Sequence, residues 1–467
     1  MSRSFLFPCL LVLSLASLSP AKTITIRGFV TSVHSPANFE IDDYKITDDT
    51  AAYAKMKEFR RQVTLKPGVL RVGLEVRVKG AYDRKTGELK AQEIKALSED
   101  SNVEGTGLVE KKLSLTKDQH GWSGTLLADG ETLQITPETV VTVKRSRSER
   151  KEMNKVGLET DEAVFSPDDI NFDTFAHYQG VRKDDHSIHA AKVEFQQDRV
   201  AAEYANLWKN VQDAYVVYRD PKSKVGTLII DEKEYALFPS PEASDYLTRL
   251  GQSLVPAHQR EMPDDSPSKV QFRFFLIDTN TVAAGAYPNG TVVVSVHVFD
   301  VLQNEAQLAF MLSHDIARAV EKQQWAALQF HWNERMYIGL AGAAASGFVP
   351  GPSVVSSIAQ QRIMQQSARI LENQADRIGM EYMLTAGYDP REAPQTWRAI
   401  ASKHADKGGH LFWADHDQNL VRRSYLESEL SIHYQGQDSS ALKKDSQDFH
   451  AAVDAIKAAR SHGKERK

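Results

Sequence analysis

The most informative stretch of the chain is Asn304-Glu305-Ala306-Gln307-Leu308-Ala309-Phe310-Met311-Leu312-Ser313-His314-Asp315-Ile316-Ala317-Arg318. Asparagine is a preferred N-cap residue, so Asn304 predicts the start of a helix. Leu308, Leu312 and Ile316 share one face of that helix, and Phe310 lies roughly opposite. Because apolar side chains occupy both faces, we predict a helix that is buried on most sides.

A second helical segment, Glu372-Asn373-Gln374-Ala375-Asp376-Arg377-Ile378-Gly379, carries two carboxylates four residues apart. The turn Ala386-Gly387-Tyr388-Asp389-Pro390 follows it. We expect Gly387 to end the helix, because glycine readily adopts the left-handed conformation that closes many helices. Asp389, Pro390 and Glu392 then suit the N-cap, N1 and N3 positions of the next helix.

These segments resemble the site helices of the HtpX/CAAX-prenyl-endopeptidase family of zinc metallopeptidases, which includes BepA-like members. In that family the first helix has the motif HExxH, in which two histidines hold zinc and the glutamate activates a metal-bound water. The second helix supplies the motif ExxxD, which Glu372 and Asp376 match. The resemblance covers roughly residues 234–431 and implies an α+β, gluzincin-type metallopeptidase domain.

The resemblance also implies roles for individual residues. His314 and Glu372 stand at metal-ligand positions, and Asp376 stands where it would orient the His314 ring. Asp415-His416 is similar to a late His–Pro element of the family, although Asp417 replaces the proline. The resemblance therefore implies that His416 lies near the site.

Two substitutions separate this chain from the family motif. Asp315 occupies the position of the general base, but its side chain is one methylene, about 1.5 Å, too short for a group that must come within about 3 Å of its proton. Arg318 replaces the second histidine, and a guanidinium group has no lone pair to offer a metal. A catalytic zinc ion usually has three protein ligands, and His314 with Glu372 supplies only two. We therefore expect an inactive base, an empty metal position and no cofactor.

We infer that the charge of Arg318 replaces the charge of the metal. An unpaired buried carboxylate is costly, so Arg318 is expected to neutralise the cluster of Glu372, Asp376 and Asp315. This hypothesis predicts a zinc-free, ion-paired site in a non-catalytic peptide-binding or protein-binding member of the peptidase family.

Other interpretations remain open at this point. The chain could be an active zinc endopeptidase for unfolded or envelope proteins, if Asp315 ligates zinc directly or another histidine fills the vacant position. The candidate histidines are His297, His331, His404, His410 and His416. Alternatively, the binding function could belong to the N-terminal half, with the peptidase-like half only structural.

The segment Asn280–Val296 resembles the edge strand on which members of this family receive a peptide by β-augmentation. It contains the turn Pro288-Asn289-Gly290 and the start of a strongly β run, Thr291–Phe299. We therefore expect a peptide or unfolded protein to bind along an edge strand near Val292–Val296.

The N-terminal half shows the alternation of short strands and turns that is typical of small β modules. The order of its motifs recurs: Gly80 followed by Leu89, Ala91 and Ile94 matches Gly180 followed by Ile188, Ala190 and Val193. This repeat predicts two related, OB-like barrel modules over residues 22–100 and 101–196. The second module has a basic insertion over residues 144–169, which suggests either a surface for single-stranded nucleic acid or a solvated loop. We favour the loop, because the insertion lacks interleaved aromatic residues.

We predict a helical connector over residues 197–233, based on helical spacing in 201–208, and the metallopeptidase-like domain over 234–435. A C-terminal helix and a basic tail are expected over 436–467. The full organisation is thus multi-domain, which agrees with a length of 467 residues.

The N-terminal residues 1–21 have the pattern of a bacterial-type signal peptide, with Arg3, an apolar run and an exit at Ser19-Pro20-Ala21. We therefore expect an exported protein, either periplasmic or secreted. No later window reaches the roughly 20 apolar residues of a spanning helix, although the small-residue run 338–347 leaves peripheral membrane contact open. The net charge of −5 gives no global attraction to nucleic acid.

Overall fold

The computed structural model describes residues 22–35, 38–47, 55–58, 61–64, 70–97, 102–145, 151, 154–155, 165–170, 174–183, 185, 187–196, 214–220, 225–230, 233–266, 268–280, 282–323, 354–404 and 416–465. The predicted signal peptide (1–21), the helical pattern at 201–208, the run 338–347 and most of the basic insertion lie outside the described residues.

The first β module contains eight strands: β1 (Lys22–Phe29), β2 (Ser32–Ser35), β3 (Asn38–Ile41), β4 (Tyr44–Thr47), β5 (Lys55–Glu58), β6 (Arg61–Thr64), β7 (Glu75–Asp83) and β8 (Glu88–Ala96). Six of them form one sheet in the order β1-β7-β8-β4-β3-β2, and β5 pairs with β6. Alternate residues of these strands, such as Val76 and Val78, are fully buried. The predicted period-2 pattern thus builds a separate core.

The second β module contains seven strands: β9 (Asn102–Lys112), β10 (Thr116–Asp118), β11 (Gly121–Ala128), β12 (Glu131–Ile135), β13 (Val140–Lys144), β14 (Phe175–Arg182) and β15 (Ile188–Gln196). The strands β9, β14, β15, β12 and β11 pair in a closed circuit, because β11 also pairs with β9. This circuit is a five-stranded barrel, so a barrel-containing, β-rich N-terminal half is confirmed. The OB-like identity of both modules stays a prediction.

The two modules share a strand order: β1-β7-β8-β4-β3 corresponds to β9-β14-β15-β12-β11. The pairing register shifts at Gly80 in one module and at Gly180 in the other. A Cβ atom at Gly80 would lie 2.1 Å from the carbonyl oxygen of Lys90, and one at Gly180 would lie 2.4 Å from that of His189. The glycines matched in the sequence therefore mark equivalent bulges where only glycine lets the strands approach.

The C-terminal half is α+β, as predicted. Its strands are β16 (Tyr215–Asp220), β17 (Val225–Ile230), β18 (Lys233–Ala236), β19 (Arg273–Ile277), β20 (Ala284–Ala286) and β21 (Thr291–Ser295). Its helices are α1 (Pro241–Leu254), α2 (Ala257–Glu261), α3 (Glu305–Val320), α4 (Val354–Thr385), α5 (Glu392–His404), α6 (His416–His433) and α7 (Gln447–Glu465). Short 3₁₀ turns cover Pro167–Asp169 and Val296–Asp300.

Helix α3 lies at the centre of this half. The Asn304 side chain caps it by accepting a hydrogen bond from the backbone of Gln307, and every residue of α3 except Arg318 is buried. The prediction of an Asn304-capped helix that is buried on most sides is therefore confirmed. None of the helices in the described ranges combines the length and the apolar character needed to cross a membrane.

Two predictions about this half are wrong. The described residues of the connector at 215–220 and 225–230 form β16 and β17 rather than a helix. The segment Val292–Val296 is not an edge strand, because β21 is paired on both sides in the order β19-β21-β20 and turns into the 3₁₀ segment after Ser295. The edge strands of this sheet are β19 and β20, and the one that lies within residues 280–296 is β20, a short Ala-Gly-Ala segment with little β propensity of its own.

Candidate functional site

The site forms where α4 crosses α3. A Cβ atom at Gly379 would lie 2.9 Å from the backbone nitrogen of His314, so the absence of a side chain allows the two helices to pack closely there. This contact brings Asp376 Oδ1 to 2.9 Å from His314 Nδ1 and Glu372 Oε2 to 3.5 Å from His314 Nε2. The histidine and both carboxylates singled out in the sequence thus lie side by side.

Two arginines neutralise the carboxylates. Arg318 Nη1 donates a hydrogen bond to Glu372 Oε1, and Arg422 Nη1 lies 3.1 Å from Glu372 Oε2. Arg422, on α6, also donates from Nε and Nη2 to the two oxygens of Asp376, at 2.8 and 2.6 Å. This two-pronged arrangement matches the fork of a guanidinium group to a carboxylate.

The Arg422 guanidinium also stacks on an aromatic ring. Its Cζ atom lies 3.6 Å from the ring centroid of Trp397 on α5, and the same ring contacts His314 edge-on at 5.7 Å. The buried cation is thereby held by two carboxylates and by the face of an indole ring.

The hypothesis that Arg318 neutralises the whole cluster needs a correction. Arg318 bonds Glu372, whereas the cation that pairs with Asp376 is Arg422. Sequence reasoning missed Arg422 and Trp397. One signal was present: Arg422 interrupts an apolar pattern of Leu420, Val421, Tyr425 and Leu426, so a buried face carries a charge that needs a partner.

Burial and these cations set the protonation of the carboxyl groups. Burial opposes ionisation of Glu372 and Asp376, but Arg422, together with Arg318 at Glu372, holds the pKa of each below its ordinary value. Asp315 is also buried, and burial raises its pKa to about 6. Within the described residues, Asp315 Oδ2 has no hydrogen-bond partner.

The histidines considered as replacement ligands are placed as follows. His416 is the first residue of α6 and His404 the last residue of α5, and the side chains of both lie outside the described residues, as do His331 and His410 altogether. His297 lies on the 3₁₀ turn Val296–Asp300, with its Nδ1 2.8 Å from Asp300 Oδ2. His297 is therefore engaged by another acidic group.

A small pocket opens beside the cluster. Val282, Ala283 and Ala284 line one wall, His314 and Asp315 line another, and Met311, Trp397 and Ile400 complete it. Ala284, the first residue of the edge strand β20, thus lines a pocket that also has His314 and Asp315 in its wall.

The described side chains do not fit a catalytic zinc ion. Both oxygens of Glu372 face guanidinium groups, and Nδ1 of His314 faces Asp376. Across the described ranges, no three histidine, cysteine or acidic side chains are grouped so that they could hold a metal. The arrangement suits ion pairing and the binding of polar groups.

Comparisons with known proteins find relatives of this half of the chain. A model of peptidase family M48 matches residues 242–430. The chain is 30% identical over 171 residues to the Beta-barrel assembly-enhancing protease of Escherichia coli K12, covering 34% of this chain and 32% of that protein, and 29% identical to the protein of that name from Yersinia pestis, covering 35% and 34%.

A mitochondrial metalloendopeptidase of Arabidopsis thaliana is 21% identical over 169 residues, which are 35% of this chain and 34% of that protein. The match therefore spans about a third of the length of these relatives. The family match over residues 242–430 contains α3, α4 and β20, as the sequence motifs predicted. The resemblance to BepA-like zinc metallopeptidases is confirmed: residues 242–430 are a peptidase family M48 domain.

Proposed function

We propose that this protein binds an extended peptide or an unfolded protein segment beside a metal-free, ion-paired site and does not hydrolyse it. The observation that carries the proposal is the hydrogen bond of Arg318 to Glu372, with Arg422 at the other oxygen of the same carboxylate. A metal ion bound to Oε1 of Glu372 would have to displace the guanidinium group of Arg318, which is a permanent cation.

The backbone of β20 supports the peptide-binding part of the proposal. Ser295 N donates to Ala283 O, and Tyr287 N donates to Thr291 O, each at 2.8 Å. Because every second residue of an antiparallel strand bonds to a given neighbour, the backbone N–H groups of Ala284 and Ala286 point away from β21. No strand in the described part of the chain pairs with that side of β20.

The name of the bacterial relatives, Beta-barrel assembly-enhancing protease, refers to the assembly of β-barrels. A strand of an unassembled β protein has the backbone groups that β20 can pair with. We therefore propose β-rich unfolded segments as the class of ligand. We also propose that the protein is exported, with residues 1–21 as its signal; cell fractionation with and without those residues tests this.

Binding at the edge strand predicts a specific effect of proline. Ala286→Pro removes one outward N–H group and leaves the bonds of β20 to β21 in place. The loss of one backbone hydrogen bond costs about 0.5–1.5 kcal/mol. It should therefore weaken the binding of a fluorescent peptide of alternating valine and threonine about threefold to tenfold, as measured by anisotropy titration. Ala286→Ser keeps the N–H group and should bind as the native chain does. Equal affinities of all three proteins would refute binding at β20.

A pair of double variants distinguishes this proposal from the alternative, an active zinc endopeptidase with altered ligands. Asp315→Glu with Arg318→His restores the family motif and should gain zinc and cleavage of unfolded casein. Asp315→Glu with Arg318→Lys keeps the cation and should gain neither. Zinc-dependent cleavage of casein by the native chain would favour the alternative and defeat the proposal.

A further inference from the structure

The outer face of the first β module carries a group of basic side chains beside α4. Residues alternate between the two faces of a strand, and Ile26, Val78 and Ile94 point into the core of this module, so their neighbours along β1, β7 and β8 point outward. The basic cluster consists of four cations on this outer face and of Arg369, which reaches the same face from α4. In three neighbouring rows across the strands, the charged side chains are the cations Arg27, Arg77, Lys79 and Lys95 and the carboxylates Glu75 and Glu93.

The middle row places like charges directly opposite one another. Arg27 on β1 pairs in register with Arg77 on β7, and Arg77 pairs in register with Lys95 on β8. The Cβ atoms of directly opposite residues lie about 4.5–5.5 Å apart, and like charges in such pairs destabilise a sheet. A bound anion would relieve this repulsion.

The carboxylate of Glu75 is shared by two arginines. Arg27 Nε donates to Glu75 Oε1 at 2.6 Å, and Arg369 Nη1 lies 3.5 Å from the same oxygen. Burial lowers the pKa of Arg369, and the charge of Arg27 lowers it further, by more than Glu75 raises it. Arg77 adds to the lowering. The half-buried Arg369 therefore has surroundings that are positive on balance.

The second carboxylate also leaves part of the charge uncompensated. Lys95 Nζ lies 2.5 Å from Glu93 Oε1. Within the described ranges, neither Arg77 nor Lys79 forms an ion pair. Among the described side chains of these rows, the cations of the basic cluster thus outnumber the carboxylates beside them.

We propose that the basic cluster binds a phosphate group. A guanidinium group forms paired hydrogen bonds to phosphate oxygens, and a phosphate group offers three strong acceptor oxygens. It can therefore bond Arg27, Arg77 and Arg369 together, whereas a carboxylate has only two oxygens. The phosphate group belongs either to a phospholipid headgroup or to a soluble phosphate ester. This site does not depend on the peptide binding proposed above.

Titration calorimetry of the full chain with pyrophosphate tests the chemistry that both sources share. We expect saturable binding that weakens with added salt, and much weaker binding of acetate at the same ionic strength. Flotation with vesicles distinguishes the sources. Vesicles of phosphatidylcholine and phosphatidylglycerol should carry the protein if the source is a lipid, and vesicles of phosphatidylcholine alone should not. Pyrophosphate binding without flotation identifies a soluble phosphate ester.

Arg77 offers the sharpest variant, because its two expected effects have opposite signs. Arg77→Gln removes the middle charge of the row, so it should raise the melting temperature of the free protein and weaken pyrophosphate binding about tenfold. Glu75→Gln removes a competing carboxylate, so it should lower that melting temperature and tighten binding. Arg84→Gln, at an exposed cation in the turn between β7 and β8, should change neither.

The melting curves also show that each variant is folded. The proposal is wrong if neither pyrophosphate nor the vesicles bind, or if acetate binds as tightly as pyrophosphate. It is also wrong if Arg77→Gln and Glu75→Gln both bind pyrophosphate as the native chain does.

Discussion

At the scale of single residues, the site is a balance of fixed charges. Arg318 and Arg422 carry two positive charges that cannot be lost, and Glu372 and Asp376 carry two negative charges that these arginines stabilise. Asp315 is buried, no described residue forms a hydrogen bond with its Oδ2, and burial raises its pKa to about 6. A further cation would disturb this balance.

The first prediction concerns Arg422. Arg422→Met keeps the length of the side chain but leaves Asp376 and Glu372 without their shared cation, so we expect a loss of about 3–5 kcal/mol in the free energy of unfolding. Arg249→Met removes an exposed pair with Asp448 and should cost less than about 1 kcal/mol. Urea denaturation measures both. Equal losses would mean that Arg422 has no special part in the site.

The sequence allowed half of this site to be predicted. His314, Glu372 and Asp376 follow from local helical motifs, and they do lie together. Arg422 is 46 residues beyond Asp376 and belongs to no motif that we recognised. Its contact depends on how α6 packs against α4, which is decided by tertiary structure and is not visible in local spacing.

Among the helices, α5 and α6 each have two consecutive residues that make different contacts, one with the His314 cluster and one with the first β module. Trp397 faces the His314 cluster, and the next residue, Arg398, faces Asp42 of the first β module. Arg422 bonds Asp376, and the next residue, Arg423, bonds Asp42. The same two helices therefore form part of the ion-paired site and hold the first β module in place.

The second prediction concerns the crossing of α3 and α4. Gly379→Ala places a methyl group 2.9 Å from the His314 backbone nitrogen, so the helices must separate, at a cost of about 1–3 kcal/mol. Gly285→Ala meets no atom within 4 Å and should change stability by less than about 0.5 kcal/mol. Thermal unfolding compares the two variants. An unaffected Gly379→Ala protein would show that the close approach is not needed.

The edge strand shows where element prediction fails. The run Thr291–Phe299 has strong β propensity, but propensity does not tell a central strand from an edge strand. The edge strand within residues 280–296, Ala284–Ala286, is short and consists of small residues, which a sequence pattern favours as loop. The glycines at the two bulges, Gly80 and Gly180, were more informative. The neighbouring strand comes so close at these positions that only glycine fits, and the sequence therefore shows a glycine at each.

At the scale of the whole molecule, both β modules dock on the helices of the site. The second module binds α4: Gln374 Nε2 donates to Asp129 Oδ1 at 2.7 Å, and Arg377 donates to the Asp129 carbonyl at 2.6 and 3.0 Å. It also reaches the end of α3, where Leu108 N donates to Glu321 Oε2 at 2.8 Å. The peptidase domain and the modules are therefore joined through buried polar contacts.

The third prediction uses Glu321 at that junction. Burial raises its pKa from 4.5 to about 8, so the folded protein holds a proton that the unfolded chain has lost. The stabilising effect of this proton is complete below pH 4.5 and is lost as the pH rises through 8, with a slope of at most about 1.4 kcal/mol per pH unit. Glu321→Gln is neutral at every pH, so it should flatten that slope and be more stable than the native chain above pH 8.

Urea denaturation from pH 5 to pH 9 measures this effect. Glu104→Gln, an exposed carboxylate on β9 of the same module, is the matched control and should keep the native slope. An unchanged slope for Glu321→Gln would mean that this carboxyl group titrates as it does in the unfolded chain.

We propose that the ion pair between Arg318 and Glu372 takes the place of a metal ion in this domain. The native chain is incubated with zinc and desalted, and its zinc content is then measured by inductively coupled plasma mass spectrometry. We expect far less than one zinc ion per chain, and no difference between the native protein and His314→Ala. One zinc ion per chain that disappears in His314→Ala would contradict it.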